Sequence, residues 1–569
     1  MSTSSDQLAA GLRARACGSA LAVALCLLGC SREDIELAPP PGDAPPPEDC
    51  SAAVPEDLLA ARPPMGWNGY NAFSECDSAL NESLLRSTID ALVESGMQSA
   101  GYQYVNLDLC WQLARSSEGL RVFDPVRLPS GIETLVNDVH ARGLSLGVWA
   151  PVQDCRQEPG SEGYETVDAE TYAAWGVDYV KYVNCDVPNP VDAPISALAA
   201  ALASTGRPIV LSVSAAPFRE WMRETAQLWR TAGDIEATFD SIVSQIDAAV
   251  PLAAYARPGA FNDPDMLEIG NGELSEGEMR TQFSVWSILS APLLAGNDLT
   301  TMSEETRAIL TNSRVIALNQ DPLGLQAALV RREGDVDVLA KPLAECGARA
   351  LVLWNRGLAS VDVSVSLDEL GLEPEDALVH DLWSDEAWTA AAPAFSVTVP
   401  AHDVAALRVT GVEPPRPRGR AYLSDLRATY VTNGFGPVEL DRTNGEAAAL
   451  DGAPIRLRGA AYDKGLGVHG PSLLRYRLGR ACSRFAADVG IDDDQGGLGS
   501  AQFELWADGE RLFQSGVLTG SSPARSVNID VSGRRELRLF VGTGGDGDGH
   551  DHAVWAGARL ECDGGPGGP

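Results

Sequence analysis

The chain has 569 residues, 45% of them apolar, with 12 Trp and a formal net charge of -36. That length predicts three or four domains with packed cores. The acidic balance argues against nucleic acid and anionic membrane surfaces as partners and fits an exported protein that handles a neutral ligand.

At the N-terminus, Arg13 and Arg15 precede an apolar run from Cys17 to Leu28, too short to span a bilayer. Leu27-Leu28-Gly29-Cys30 then reads as a bacterial lipobox, with residues 1–30 as signal peptide and Cys30 as the lipidated residue. An ordinary cleaved signal peptide is the alternative. The expected location is therefore a membrane-anchored lipoprotein, periplasmic or at the cell surface, or a secreted protein, with membrane contact only through the lipid. Residues 31–62 hold Pro39-Pro40-Pro41 and Pro45-Pro46-Pro47 among acids and read as an extended linker. Export permits disulfides. Setting aside Cys17, Cys26 and Cys30 leaves eight of the 11 Cys to pair. Cys482 and Cys562 bracket the last domain and are expected to bond to each other. No Cys-x-x-Cys or His cluster has metal-ligand spacing, so no zinc site is expected.

Residues 63–325 alternate strand-like and helical stretches. The candidate strands are Met65–Asn71, Tyr104–Cys110, Leu144–Ala150, Val177–Asn184, Ile209–Ser214, Leu228–Asp234, Ala260–Met266 and Pro292–Asp298. Between them, Leu84–Ser95 would bury Leu85, Ile89, Leu92 and Val93, and Ile132–Arg142 would bury Leu135 and Val139. Eight β-then-α units predict an α/β fold closed as a (β/α)8 TIM barrel. An open doubly wound sheet would need a Gly-rich phosphate turn after the first strand, which Met65-Gly66-Trp67-Asn68-Gly69-Tyr70 is not.

Residues 326–410 then read as an antiparallel β-sandwich, with strands at Val336–Ala340, Ala350–Asn355, Ser360–Leu367, Leu378–Leu382 and Phe395–Leu407. The Pro-rich stretch 411–419 reads as a linker, 420–563 as a second all-β module, and 564–569 as a disordered tail.

Several motifs in the barrel region resemble glycoside hydrolase family 27, the α-galactosidases or melibiases of clan D. They are Met65-Gly66-Trp67-Asn68, Tyr104-Val-Asn-Leu-Asp108-Leu109-Cys110-Trp111, Pro159-Gly160-Ser161, Lys181-Tyr182-Val183-Asn184-Cys185, Trp229-Arg230-Thr-Ala-Gly-Asp234, Asn262-Asp263-Pro264-Asp265-Met266-Leu267 and Asn319-Gln320-Asp321-Pro322-Leu323-Gly324. The resemblance implies a retaining hydrolase of terminal α-galactosides. Such an enzyme needs two carboxyl groups about 5–5.5 Å apart across the anomeric carbon. By the same resemblance Asp234 is the acid/base. Asp108, Lys181, Arg230 and Asp265 would bind sugar hydroxyls, and Trp67 would supply aromatic surface, with Tyr70 also at an aromatic position. It further implies the disulfides Cys76–Cys110 and Cys155–Cys185, which leaves Cys50 and Cys346 over.

The departures fall on the ligand side. Val183 stands where the family has its Asp nucleophile, and Leu109 replaces the second strand-two acid. Trp149 and Pro151 replace the usual Tyr and Asp, and Ser214–Phe218 replaces a Cys-Glu-Trp stretch. Three readings follow. The chain binds a glycan without cleaving it; another acid serves, with Asp108, Asp154 or Asp186 as candidates; or a shifted loop brings Asp186 into the gap.

The last module resembles the NPCBM carbohydrate-binding family through Tyr422–Leu426, Tyr462-Asp463-Lys464-Gly465-Leu466-Gly467-Val468-His469, Phe485–Asp493 and Asp551–Ala558. That resemblance implies a glycan-binding jelly roll. Trp506, Trp555 and Tyr462 are candidate stacking platforms. Asp492–Asp494 with Asp546, Asp548 and Asp551 are candidate calcium ligands; a solvated acidic turn is the alternative. No other cofactor is expected.

Overall fold

The computed structural model describes residues 50, 55, 57–73, 81–185, 191–215 and 217–563. The signal peptide, Cys30 and most of the linker lie outside them. So do Cys76, Asp186 and the C-terminal tail.

Eight parallel strands form the first domain: β1 Met65–Asn68, β2 Tyr104–Leu107, β3 Ser145–Pro151, β4 Tyr179–Val183, β5 Val210–Ser214, β6 Leu228–Arg230, β7 Phe261–Asp263 and β8 Leu293–Ala295. They pair in sequence order, with β8 beside β1. A bridge between Leu267 and Ala295 closes the ring. The expected TIM barrel is present, with most strands shorter than the apolar runs that announce them. The runs continue into the loops at the strands' C-terminal ends, where side chains turn towards the mouth.

Helix α1, Glu82–Glu94, is capped by Asn81, whose side chain accepts from Ser83 and Leu84 N–H. It buries Leu85, Ile89 and Leu92 as expected, but Val93 stays 38% exposed. Val93 lies about 100° round the helix from Leu92, beyond the stripe that faces the sheet. Helix α2, Ile132–Ala141, buries Leu135 and Val139.

In the second domain, a six-stranded antiparallel sheet built on Val336–Pro342, Ala348–Asn355 and Asp403–Thr410 faces the pair Val361–Ser366 and Ala394–Val399. The single strand expected over Phe395–Leu407 is two. Pro400 and His402, the latter at φ 50°, turn the chain between them. The Pro-rich stretch after this domain is fastened down: the Glu413 carboxylate accepts from Arg349 at 2.8 Å and from Gly347 N–H at 2.9 Å.

The last module is a two-sheet jelly roll, one sheet centred on His552–Cys562 and Cys482–Ile491, the other on Glu536–Gly542 and Ser500–Ala507. Phe485, Phe503 and Trp555 meet edge to face between them. Trp555 is therefore core and not a platform. This module docks on the barrel. Between β5 and β6 the outer layer is only a short 3-10 turn, Glu220–Glu224, and the jelly roll covers it. Arg223 pairs with the buried Glu504 at 3.1 Å and lies 4.1 Å over Phe540. The second predicted platform, Trp506, is held at this seam beneath Arg257 and Arg511.

Cys155–Cys185 and Cys482–Cys562 are bonded, as expected. Cys110 is in a disulfide, and its expected partner Cys76 lies outside the described residues. Cys50 and Cys346, left over by the sequence reading, bond to each other. A separation of 296 residues gave no signal for that pair. Among the described residues no helix is long and apolar enough to cross a membrane.

Candidate active site

The barrel's mouth collects the charged residues expected there. Asp108 follows β2 and is buried. Its Oδ2 accepts from Asn68 Nδ2 at 2.8 Å and from Lys181 Nζ at 2.9 Å, and its Oδ1 accepts from Leu109 N–H at 3.0 Å. Lys181 sits on β4. Burial pulls its pKa down, but the Asp108 and Asp265 carboxylates outweigh that and hold it above the usual lysine range.

Across the mouth, Arg230 at the end of β6 pairs with Asp265 at 2.8 Å and with Asp234 at 3.3 Å. Its pKa is likewise held up by Asp265, Asp263 and Asp234 against burial. Asp265 is in the left-handed region at φ 78°, with its Oδ2 also accepting Ile235 N–H at 2.9 Å and its Oδ1 accepting Met266 N–H at 2.9 Å. A non-glycine residue there is strained, and three partners on one carboxylate hold it. Asp234 is the exception in this ring. Its side chain is 72% exposed and open to a ligand.

Val183 ends β4. It pairs with Pro151 on β3 and Ser214 on β5, its carbonyl accepts Val152 N–H at 2.8 Å, and Asn184 N–H reaches Ser214 O at 2.9 Å. With Cys155–Cys185 two residues on, a one-residue slip would break these bonds together. Leu109, Trp149 and Pro151 are buried on the neighbouring strand ends. The β2–β4 side of the mouth thus carries apolar side chains beside the Asp108–Lys181 pair.

Of the other acids weighed for catalysis, Asp108 is bonded on both oxygens, Asp154 accepts Gly160 N–H at 2.8 Å, and Asp186 lies outside the described residues. Trp67 is fully buried, with its Nε1 donating to Asn297 O at 2.8 Å. The half-buried ring at the mouth is Tyr70, 5.8 Å from Lys181 Nζ. Three groups had been missed. Asn68 holds Asp108, and its place in the first-strand motif was the available signal. Glu268 accepts from Asn71 and Asn271, and burial pushes it up to about 7. Glu158 accepts Cys110 N–H, and burial pushes it up to about 7.

The calcium expectation is not met by side-chain placement. Among the described residues no group of three or more His, Cys, Asp or Glu converges as a metal site. Asp492 and Asp493 accept backbone N–H groups of Asp494, Arg456, Arg458 and Gly459 instead.

Comparison with known proteins agrees with the fold. Residues 62–321 match the family described as Alpha galactosidase A, 333–409 the Alpha galactosidase C-terminal beta sandwich domain, and 419–561 the NPCBM/NEW2 domain. An α-galactosidase of Cyamopsis tetragonoloba is 41% identical over 356 residues, 61% of this chain and 86% of that one. The crystal structure of α-galactosidase I from Mortierella vinacea superposes with a TM-score of 0.60 at 30% identity, covering 63% of this chain and 99% of that one. The α-galactosidase of Saccharomyces cerevisiae with raffinose gives 0.57 at 26%, covering 62% and 98%. A (β/α)8 barrel with this ring of charges, followed by a β-sandwich and a jelly roll, is the architecture of the O-glycosidase class. The chain belongs to glycoside hydrolase family 27, the α-galactosidases.

Proposed function

We propose that this chain is an exported α-galactoside-recognising member of its family, in which the barrel binds a terminal α-galactosyl unit but forms no covalent glycosyl-enzyme. One observation carries the reading. The position opposite Asp234 in the family's retaining pair is Val183, and the register around it is pinned on both sides. A valine neither attacks an anomeric carbon nor stabilises an oxocarbenium ion. The polar side of the mouth supports binding: Asp108, Lys181, Arg230 and Asp265 are oriented by one another, and Tyr70 offers a ring. The disulfides fit export, and the lipobox at Cys30 supports a lipid anchor.

The test is nitrophenol release from an aryl α-galactoside, alongside calorimetric titration with methyl α-galactoside. Wild type is expected to bind and not to turn over, and Val183→Asp to gain at least about 10³-fold in rate, the scale of one lost catalytic member. Wild-type turnover at the rate of an ordinary family member, abolished by Asp234→Ala, would sink the reading. So would absence of saturable binding.

A further inference from the structure

Two histidines meet at one end of a jelly-roll sheet. His469 closes the strand Gly465–His469, His552 opens the strand His552–Cys562, and the two are directly opposed in the antiparallel register. Opposed residues put their side chains on one face of a sheet. Leu466, Val468, Ala553 and Trp555 fill the core, so by alternation the two imidazoles point to the other face. Their ring centres lie 5.0 Å apart, with the planes at 79°. Far apart in sequence, they offer no ligand spacing to read there.

The backbone sets the tautomer of each ring. His469 Nδ1 faces Gly470 O at 2.8 Å, and His552 Nδ1 faces Asn444 O at 2.8 Å. A carbonyl only accepts, so both Nδ1 atoms carry the proton and both Nε2 atoms keep a lone pair. Backbone carbonyls orient metal-ligating histidines in this same way. Among the described residues neither Nε2 has a hydrogen-bond partner, and neither is sealed from solvent. The other four histidines are each committed to a side-chain oxygen: His140 to Asp178, His380 to Asp385, His402 to Glu278 and His550 to Gln495.

The spacing fits chelation. Zn–N bonds of about 2.0–2.1 Å at a tetrahedral angle hold two imidazole centres about 5 Å apart. Imidazole nitrogens suit zinc, nickel and copper, whereas calcium and magnesium take oxygen. Asp548, exposed on the loop before His552, is near enough for its charge to act on His469, which favours a cation. We propose that His469 and His552 form a site for a late divalent transition metal, Zn2+ or an ion of like chemistry, held through both Nε2 atoms. No third His, Cys, Asp or Glu joins them among the described residues, so water fills the remaining positions. The site stands apart from the barrel's chemistry. It also fastens the loop over this face, since His469 N–H donates to Asn433 Oδ1 at 2.8 Å and Asn444 supplies the carbonyl that orients His552.

The experiment is equilibrium dialysis of the full chain, free of any affinity tag, against Zn2+, with electron paramagnetic resonance of the same protein loaded with Cu2+. Wild type is expected to retain one Zn2+ per chain. His469→Gln and His552→Gln should each weaken retention at least about tenfold, the low end of what disturbing the orientation of such a ligand costs. His380→Gln, on the sandwich, should change nothing. The copper spectrum should show coupling to two imidazole nitrogens in wild type and to one in either variant, and the wild-type half of that measurement depends on no substitution. No retained ion, retention that survives loss of both histidines, or a wild-type copper spectrum with fewer than two nitrogens would each overturn the proposal.

Discussion

Lys181 donates to Asp108 Oδ2 at 2.9 Å, and the same oxygen takes Asn68 Nδ2 at 2.8 Å. The carboxylate is thereby fixed as an anchor for a cation and is not available as a base. Removing it leaves a buried ammonium uncompensated. Asp108→Ala is expected to lose about 3 kcal/mol of stability, the usual cost of breaking a buried pair from one side. Asp108→Asn should lose less, because the amide oxygen still accepts from Asn68 and Lys181 although its NH2 can no longer accept Leu109 N–H. Chemical denaturation of the two variants checks the order; equal losses would mean the charge is irrelevant there.

A small anion should replace what Val183 lacks. Val183→Gly opens a space at the end of β4 without disturbing the Val152 and Ser214 backbone bonds, since these use only the main chain. With an aryl α-galactoside and added azide, azide attacks the anomeric carbon from the vacated face. The phenolate leaves on the other side as Asp234 gives it a proton. The expected product is β-galactosyl azide, with a rate that rises with azide in the variant and not in wild type. Recovery of galactose alone, independent of azide, would show that water reaches that face by another route.

The eight strands were legible because each carries its own apolar run, and the pattern of the mouth because β2, β4, β6 and β7 carry Asp108, Lys181, Arg230 and Asp263 at or near their ends. What escaped depends on contacts between distant segments. Trp67 sits in the motif expected to stack a sugar, yet Asn297, 230 residues away, claims its indole N–H. The Cys50–Cys346 bond joins segments with no local signature. Trp506 alternates outward on its strand as a platform would, and only docking on Arg257 shows what covers it. Asp492 and Asp493 look like metal ligands by composition, but their oxygens accept backbone N–H groups of the turn they brace.

Glu158 gives a pH signature. Burial pushes it up to about 7, with the neighbouring Asp108 adding to the effect. Its folded pKa is above its unfolded one, so its contribution is fully present below about pH 4 and is lost as pH rises through about 7. Glu158→Gln keeps an acceptor for Cys110 N–H and removes the titration. Relative to wild type, the variant should therefore gain on the order of 3 kcal/mol between about pH 4 and pH 8. Urea midpoints across that range measure it. A constant difference between the two proteins would show that Glu158 titrates normally.

The jelly roll should prove inseparable from the barrel. Glu220 of the barrel accepts from Thr543 N–H at 3.0 Å and from its hydroxyl at 2.8 Å, and a Cβ at Gly542 would overlap that carboxylate. Beside it, the Arg223–Glu504 pair is buried on both sides, and Tyr430 of the jelly roll donates to Gln326 O at 2.8 Å. A freely tethered module would have none of these. Gly542→Ala forces Glu220 away from Thr543, and Glu504→Ala leaves Arg223 facing a hole, so each should lower the melting temperature by several degrees. The calorimetric trace decides the matter: wild type should melt in one transition spanning barrel and jelly roll, and Gly542→Ala should resolve a separate, earlier one. If wild type already shows two transitions and neither substitution moves the barrel's, the seam is only a contact and the module is independent.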